Sequence, residues 1–107
     1  MKRKSKNYQV NLIESLTNPK EAVAYLNAAL DDGDEKVFLL ALRNVAEAYG
    51  GMGKLSENSR LNRENLYRML SKKGNPELCS LNILLNSLGL KLSVKIKNLG
   101  SIRRALA

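Results

Sequence analysis

The chain has 107 residues, 18 Lys and Arg against 10 Asp and Glu, and a formal net charge of +8. It has no His and a single Cys, Cys79, which excludes His-based catalysis, a His-ligated metal, a disulfide framework and a cysteine zinc cluster. The length fits one domain with one modest core, and the longest apolar run, 37–42, is far short of the ~20 residues of a membrane span.

In chain order, residues 1–17 read as a basic N-terminal arm and leader carrying Lys2, Arg3, Lys4 and Lys6, without the apolar stretch of a secretory signal. Asn18-Pro19 opens the first helix. Asn accepts a hydrogen bond from the free first-turn amides, and Pro lacks an N–H where none is needed. Glu21 suits the positive end of the helix dipole. Ala22, Tyr25, Leu26, Ala29 and Leu30 then recur at offsets of three and four, one apolar stripe. Asp31-Asp32-Gly33 ends this helix and Asp34 caps a second, with Glu35 in its first turn. DDGD lacks the alternating ligands and closing Glu of a calcium loop. Val37, Phe38, Ala41, Leu42, Val45, Ala46 and Tyr49 form the buried side of the second helix, with Lys36, Arg43, Asn44 and Glu47 outward. Gly50-Gly51 stops it.

Two short helices are expected next, about 53–59 and from Asn62 through RENLYRMLS, anchored by Leu55, Leu61, Leu66 and Leu70. Gly74-Asn75-Pro76 breaks the chain. A fifth helix carries Leu78, Leu81, Leu84, Leu85 and Leu88 and ends at Gly89, with Cys79 a small buried apolar residue. The period then switches to two: Leu90, Leu92, Val94 and Ile96 alternate with Lys91, Ser93, Lys95 and Lys97, the pattern of a half-buried strand over 90–97. A lone strand needs a partner edge, either a second copy of the chain or residues near 8–13. Residues 98–107 read as a tail.

The charge is segregated. Residues 1–53 are net neutral, the stretch 14–50 is net −4, and 54–107 holds the whole excess of +8. Such asymmetry points to a polyanion-facing half. Within it, 52–71 reads MGKLSENSRLNRENLYRMLS, two short helices about a tight turn, the pattern of a helix-turn-helix. The second helix would present Asn62, Arg63, Glu64, Asn65, Tyr67 and Arg68 to duplex DNA. Arg can grip guanine and Asn adenine, while Lys54, Lys72 and Lys73 suit phosphates.

The segments NPKEAVAYLNAALDDGD (18–34), FLLALRNVAEAYG (38–50), LNRENLYRMLS (61–71) and GNPELCSLNILLNSLGLKLSV (74–94) resemble the addiction-module antidote proteins of the Xre-type helix-turn-helix family, the HigA-like antitoxins of type II toxin–antitoxin modules. The chain departs from the family's pattern at Arg60, where the turn usually has Gly, at Ser56 for Ala and at Asn62 for Ser. With the residue reading, the resemblance implies a mainly α fold: a five-helix, lambda-repressor-like helix-turn-helix domain over 18–89 with a short C-terminal β-strand.

The resemblance further implies two binding roles and no catalysis. The protein would neutralise a RelE/HigB-like toxin, and it would repress its own promoter by binding a palindromic operator as a homodimer. Toxins that handle RNA are usually basic, so Glu21, Asp31, Asp32, Asp34 and Glu35 are the expected docking residues, with Glu14 and Glu47 in the same acidic stretch. No metal, no cofactor and no membrane contact are expected, and the location is cytoplasmic. The alternative is a stand-alone transcriptional regulator without a toxin. Single-stranded RNA binding ranks below both, because such readers favour aromatic platforms and the basic half has one aromatic residue, Tyr67.

Overall fold

The computed structural model describes residues 2–59, 61–71 and 73–96. The helices are α1 (Lys2–Ser15), α2 (Pro19–Asp32), α3 (Glu35–Ala48), α4 (Gly51–Asn58), α5 (Arg63–Met69) and α6 (Leu78–Ser87). Mainly α is therefore correct. The count of five is not, because the leader is itself a 14-residue helix. That helix excludes residues 8–13 as a partner strand. Arg60, Lys72, Lys97 and the tail 98–107 lie outside the described residues.

Helix α1 lacked a readable signature because so little of it is apolar on one side. Gln9, Leu12, Ile13 and Leu16 share a face, yet only Leu16 is fully buried. A polar chain completes its attachment. Gln9 Nε2 donates to Asn44 Oδ1 (3.0 Å), and Asn44 Nδ2 donates to the Tyr25 hydroxyl (2.8 Å), so one side chain of α3 ties α1 to α2. Asn44 is thus buried, not outward as the helical stripe implied. A buried amide is tolerable only when bonded in this way.

Helix α2 begins as its sequence dictates. Asn18 is extended (φ −82°, ψ 120°), its side chain accepts from Lys20 N at 2.9 Å, and Pro19 follows. Ala22, Leu26 and Ala29 are buried, Tyr25 is partly buried, and Leu30 faces out. Asp31 and Asp32 do not stop the helix but form its last residues; Gly33 stops it, in the left-handed region at φ 83°. Asp34 then caps α3 by accepting from Lys36 N at 2.9 Å.

Helix α3 is the hub, packed against α1, α2 and α4. Leu39, Ala41, Leu42, Val45 and Ala46 are all buried, a wider arc than one stripe, because neighbours cover it on several sides. Val37 is on the same side but in the first turn of α3, and is exposed. Arg43, expected outward, turns under the fold and donates from Nη1 to the Leu70 carbonyl at the end of α5.

Helix α6 buries Leu84, Leu85 and Leu88 and half-buries Leu81. Leu78 is at its first turn, beyond the core, and is exposed. Cys79 is exposed as well, contrary to expectation: it sits two residues before Leu81, roughly 200° around the helix from the buried stripe. The helix closes with Gly89 N donating to Asn86 O (3.0 Å) and Leu90 N to Leu85 O (2.8 Å), a six-to-one and five-to-two pair that uses Gly89 at φ 77°.

Leu90 therefore belongs to a helix cap, and 91–96 carry no strand. The alternation in this segment is real, but a strand exists only against another edge, and the described residues of one chain offer none.

Candidate nucleic-acid interface

Helices α4 and α5 pack on each other and meet at a short connection. Ser59 leaves α4 in an extended conformation (φ −122°, ψ 172°), and its Oγ accepts from Leu61 N at 3.2 Å. Asn62 caps α5, its Oδ1 accepting from Asn65 N at 2.7 Å. The expected helix boundary at Asn62 is therefore where the structure has it. Beneath α5, Leu66, Met69 and Leu70 are buried, and Leu55 of α4 is buried in the same core.

This inner face decides the outer one. Arg63, Glu64, Asn65, Tyr67 and Arg68 are all exposed, as is the Asn62 cap. The Arg63 guanidinium stands 5.8 Å from the centre of the Tyr67 ring, a cation–π distance that restrains a long side chain in the open. It also lies near Gly53 of α4. Glu64 in the first turn and Arg68 in the last both match the helix dipole.

Asn65, Arg68 and Lys73 line one polar hollow of about 580 Å³, together with Ser71, Glu77 and Ser80. Lys54 is exposed on α4, its stem folded over Gly50. Two positions missed in the sequence hold this surface in place. Arg43 bonds the last turn of α5, where a cation meets free carbonyls. Gly74 approaches the Met69 and Arg68 carbonyls so closely that a Cβ would collide with them. The Gly-Asn-Pro sequence marked a break; only packing shows that its glycine abuts the end of α5.

The acidic residues divide. Asp31, Asp32, Asp34 and Glu35 cluster at the α2–α3 corner, all exposed. Glu21 stands at the other end of α2, roughly 15 Å along the axis from Asp31 at 1.5 Å per residue. Asp34 and Glu35 border an apolar cavity of about 240 Å³, formed by Leu30, Phe38, Leu39, Pro76 and Leu81 among others. The helical stripes mark Leu30 and Phe38 as core positions, whereas the structure opens both to this cavity.

No helix among the described residues is long and apolar enough to cross a membrane. A family model described as "Probable addiction module antidote protein" matches residues 6–96. An uncharacterized protein of Haemophilus influenzae (strain KW20 / Rd) is 31% identical over 85 residues, which cover 79% of this chain and 87% of that protein. No solved structure matches the chain. The family match runs from α1 through α4 and α5 to the last described residue: the chain belongs to the addiction module antidote proteins.

Proposed function

We propose that this antidote is an Xre-type, HigA-like antitoxin with a lambda-repressor-like domain, and that it works through two surfaces. The α5 face binds its own promoter and represses it, and the acidic corner binds a RelE/HigB-like toxin. An antidote family implies a toxin partner; the reading of both surfaces rests on their chemistry.

The observation that carries the DNA reading is the division of α5. Its inner side is wholly apolar and buried, and its outer side sets Arg63, Asn65 and Arg68 in the open, with Arg63 steadied by Tyr67. Side chains near the N-terminus of such a helix reach base edges in the major groove. Arg63 and Asn65 have the donors and acceptors to read guanine and adenine there. Lys54, Lys73 and, from the sequence, Lys72 supply charge for phosphates, which position the protein without reading bases.

A palindromic operator would be met by a homodimer, with half-site centres roughly 34 Å apart or a multiple of that. The direct test is a titration of the purified protein onto the duplex upstream of its own gene. Binding should be saturable and salt-dependent. Lys73→Ala should weaken all sequences alike and lower the salt slope by about one unit. No retardation of that duplex would reject the DNA role.

The toxin reading rests on an electrostatic cost. Asp31 and Asp32 occupy the last turn of α2, the negative end of its dipole, and no basic residue shares that turn. Carboxylates there do nothing for the helix but suit a basic partner. Asp34 and Glu35, which also serve α3, extend the cluster; Glu21 is too far along α2 to join the same patch. Co-expression with a small basic protein encoded beside the gene should give a complex that Asp31→Lys with Asp32→Lys abolishes. Survival of the complex in that double variant would move docking elsewhere.

A further inference from the structure

Beyond the Leu88–Leu90 cap, no backbone–backbone hydrogen bond joins 91–96 to the rest of the described chain. Among the described residues, the peptide donors and acceptors of these six residues thus have no backbone partner. The side chains are not those of an indifferent linker. Leu92, Val94 and Ile96 alternate with Lys91, Ser93 and Lys95, and the apolar members are 38%, 100% and 65% exposed. Leu92 lies in a hollow against α2 that Val23 and Leu30 also line, and these are 42% and 50% exposed. Five uncovered apolar side chains therefore adjoin an unpaired backbone.

We propose that 91–96 is the contact between two copies of this chain, paired antiparallel across a twofold axis through Val94. This rests on the homodimer in the function proposed above and gives it an interface. Period-two patterning restricts the registers. Residues directly opposite one another share a face, so an axis between two residues would set Leu92 and Val94 among the partner's lysines. An axis through Ser93 opposes Ile96 to Leu90, which belongs to the α6 cap, and sets Lys91 opposite Lys95 inside the ladder; one through Lys95 sets that lysine against its own copy on the axis, and like charges facing each other are unfavourable. An axis through Leu92 opposes Ile96 to position 88, which belongs to the end of α6.

The Val94 register pairs Leu92 with Ile96 and Ser93 with Lys95, puts its one facing pair of lysines, Lys91 and Lys97, at the ends of the ladder, and leaves three apolar positions of each copy on one face. It also carries Ile96 of each copy to Leu92 of the other, beside the hollow lined by Val23 and Leu30. The same patch serves both copies, as a closed twofold contact requires. The strand pattern in the sequence is then a property of the pair.

The test is made in the full chain with Cys79→Ser, which removes the sole, exposed thiol. Val94→Cys should cross-link to itself under mild oxidation, since residues on the axis face their own copies within disulfide reach. Ser93→Cys should cross-link far less. Val94→Pro should weaken dimerisation in sedimentation about tenfold or more, by fixing φ at about −65° where an antiparallel ladder needs about −140°, while helical circular dichroism stays unchanged because Val94 lies in no helix. A dimer that resists Val94→Pro and fails to cross-link at Val94→Cys overturns the interface but leaves the dimer standing. A monomeric parent protein overturns both, and equal cross-linking at Ser93→Cys overturns the register.

Discussion

Helices α2 and α3 are 14 residues each, with Asn18 and Asp34 as side-chain caps, whereas α4 and α5 have eight and seven residues. Helices of eight residues or fewer are not stable alone in water, so the second pair depends on its surroundings far more than the first. It borrows from the core through Leu55, Leu66 and Leu70, from α3 through Arg43, and from the Gly74 turn. The charge follows the same division: the pair that stands on local chemistry lies in the acidic stretch, and the pair held from outside lies in the basic half. A short helix held from one side has its other side free, and here that side bears the polar groups suited to DNA.

The sharpest challenge to this contrast is Leu66→Ala. Loss of a fully buried leucine under α5 should cost about 2–5 kcal/mol in urea unfolding and should weaken DNA binding with it. Next, Arg43→Met should cost about 1–3 kcal/mol by leaving the Leu70 carbonyl without its cation. Hydrogen exchange should then quicken in α5 more than in α2; equal quickening would mean the two pairs are not held differently.

Arg63→Ala should lose on the order of 1–3 kcal/mol of operator binding and relax preference at one base pair, with the unfolding midpoint unmoved because the residue is exposed. A smaller effect is expected of Asn62→Ala, about 1 kcal/mol of stability from the lost cap on Asn65 N. Smallest and opposite in sign, Asp31→Asn with Asp32→Asn should raise stability by about 0.3–1 kcal/mol per site in thermal unfolding at low salt, while toxin capture weakens. A destabilised double variant would show that these carboxylates serve the fold.

The local chemistry was readable in advance. Asn18-Pro19, Gly33-Asp34 and Asn62 mark helix ends by bonds made within three residues, and each end lies where that chemistry predicts, with Asp31 and Asp32 kept inside α2. Burial was readable where one stripe meets one neighbour, as with Leu84, Leu85 and Leu88. It failed for Asn44 and Arg43 because α3 has neighbours on several sides, which turns outward positions inward. It failed for Cys79, whose residue type favours burial although its position is opposite the stripe, and for Leu78, which is on the stripe but in the first turn, beyond the core. The exposed side chains of α5 follow from Leu66 and Met69 at helical spacing, but the Arg63–Tyr67 contact, the Gly74 approach and the cavity beside Asp34 and Glu35 bring together residues of different turns or segments.

By itself the sequence determined the caps, the order of α2 to α6, the charge division and the polar composition of α5, because each depends on residues a few positions apart. Tertiary structure alone decided that residues 2–15 form a docked helix, that Arg43 and Asn44 turn inward, and that 91–96 stay without a ladder. Those outcomes depend on what lies across the fold, and pairing or burial of a segment is a property of two surfaces, of which a local pattern describes one.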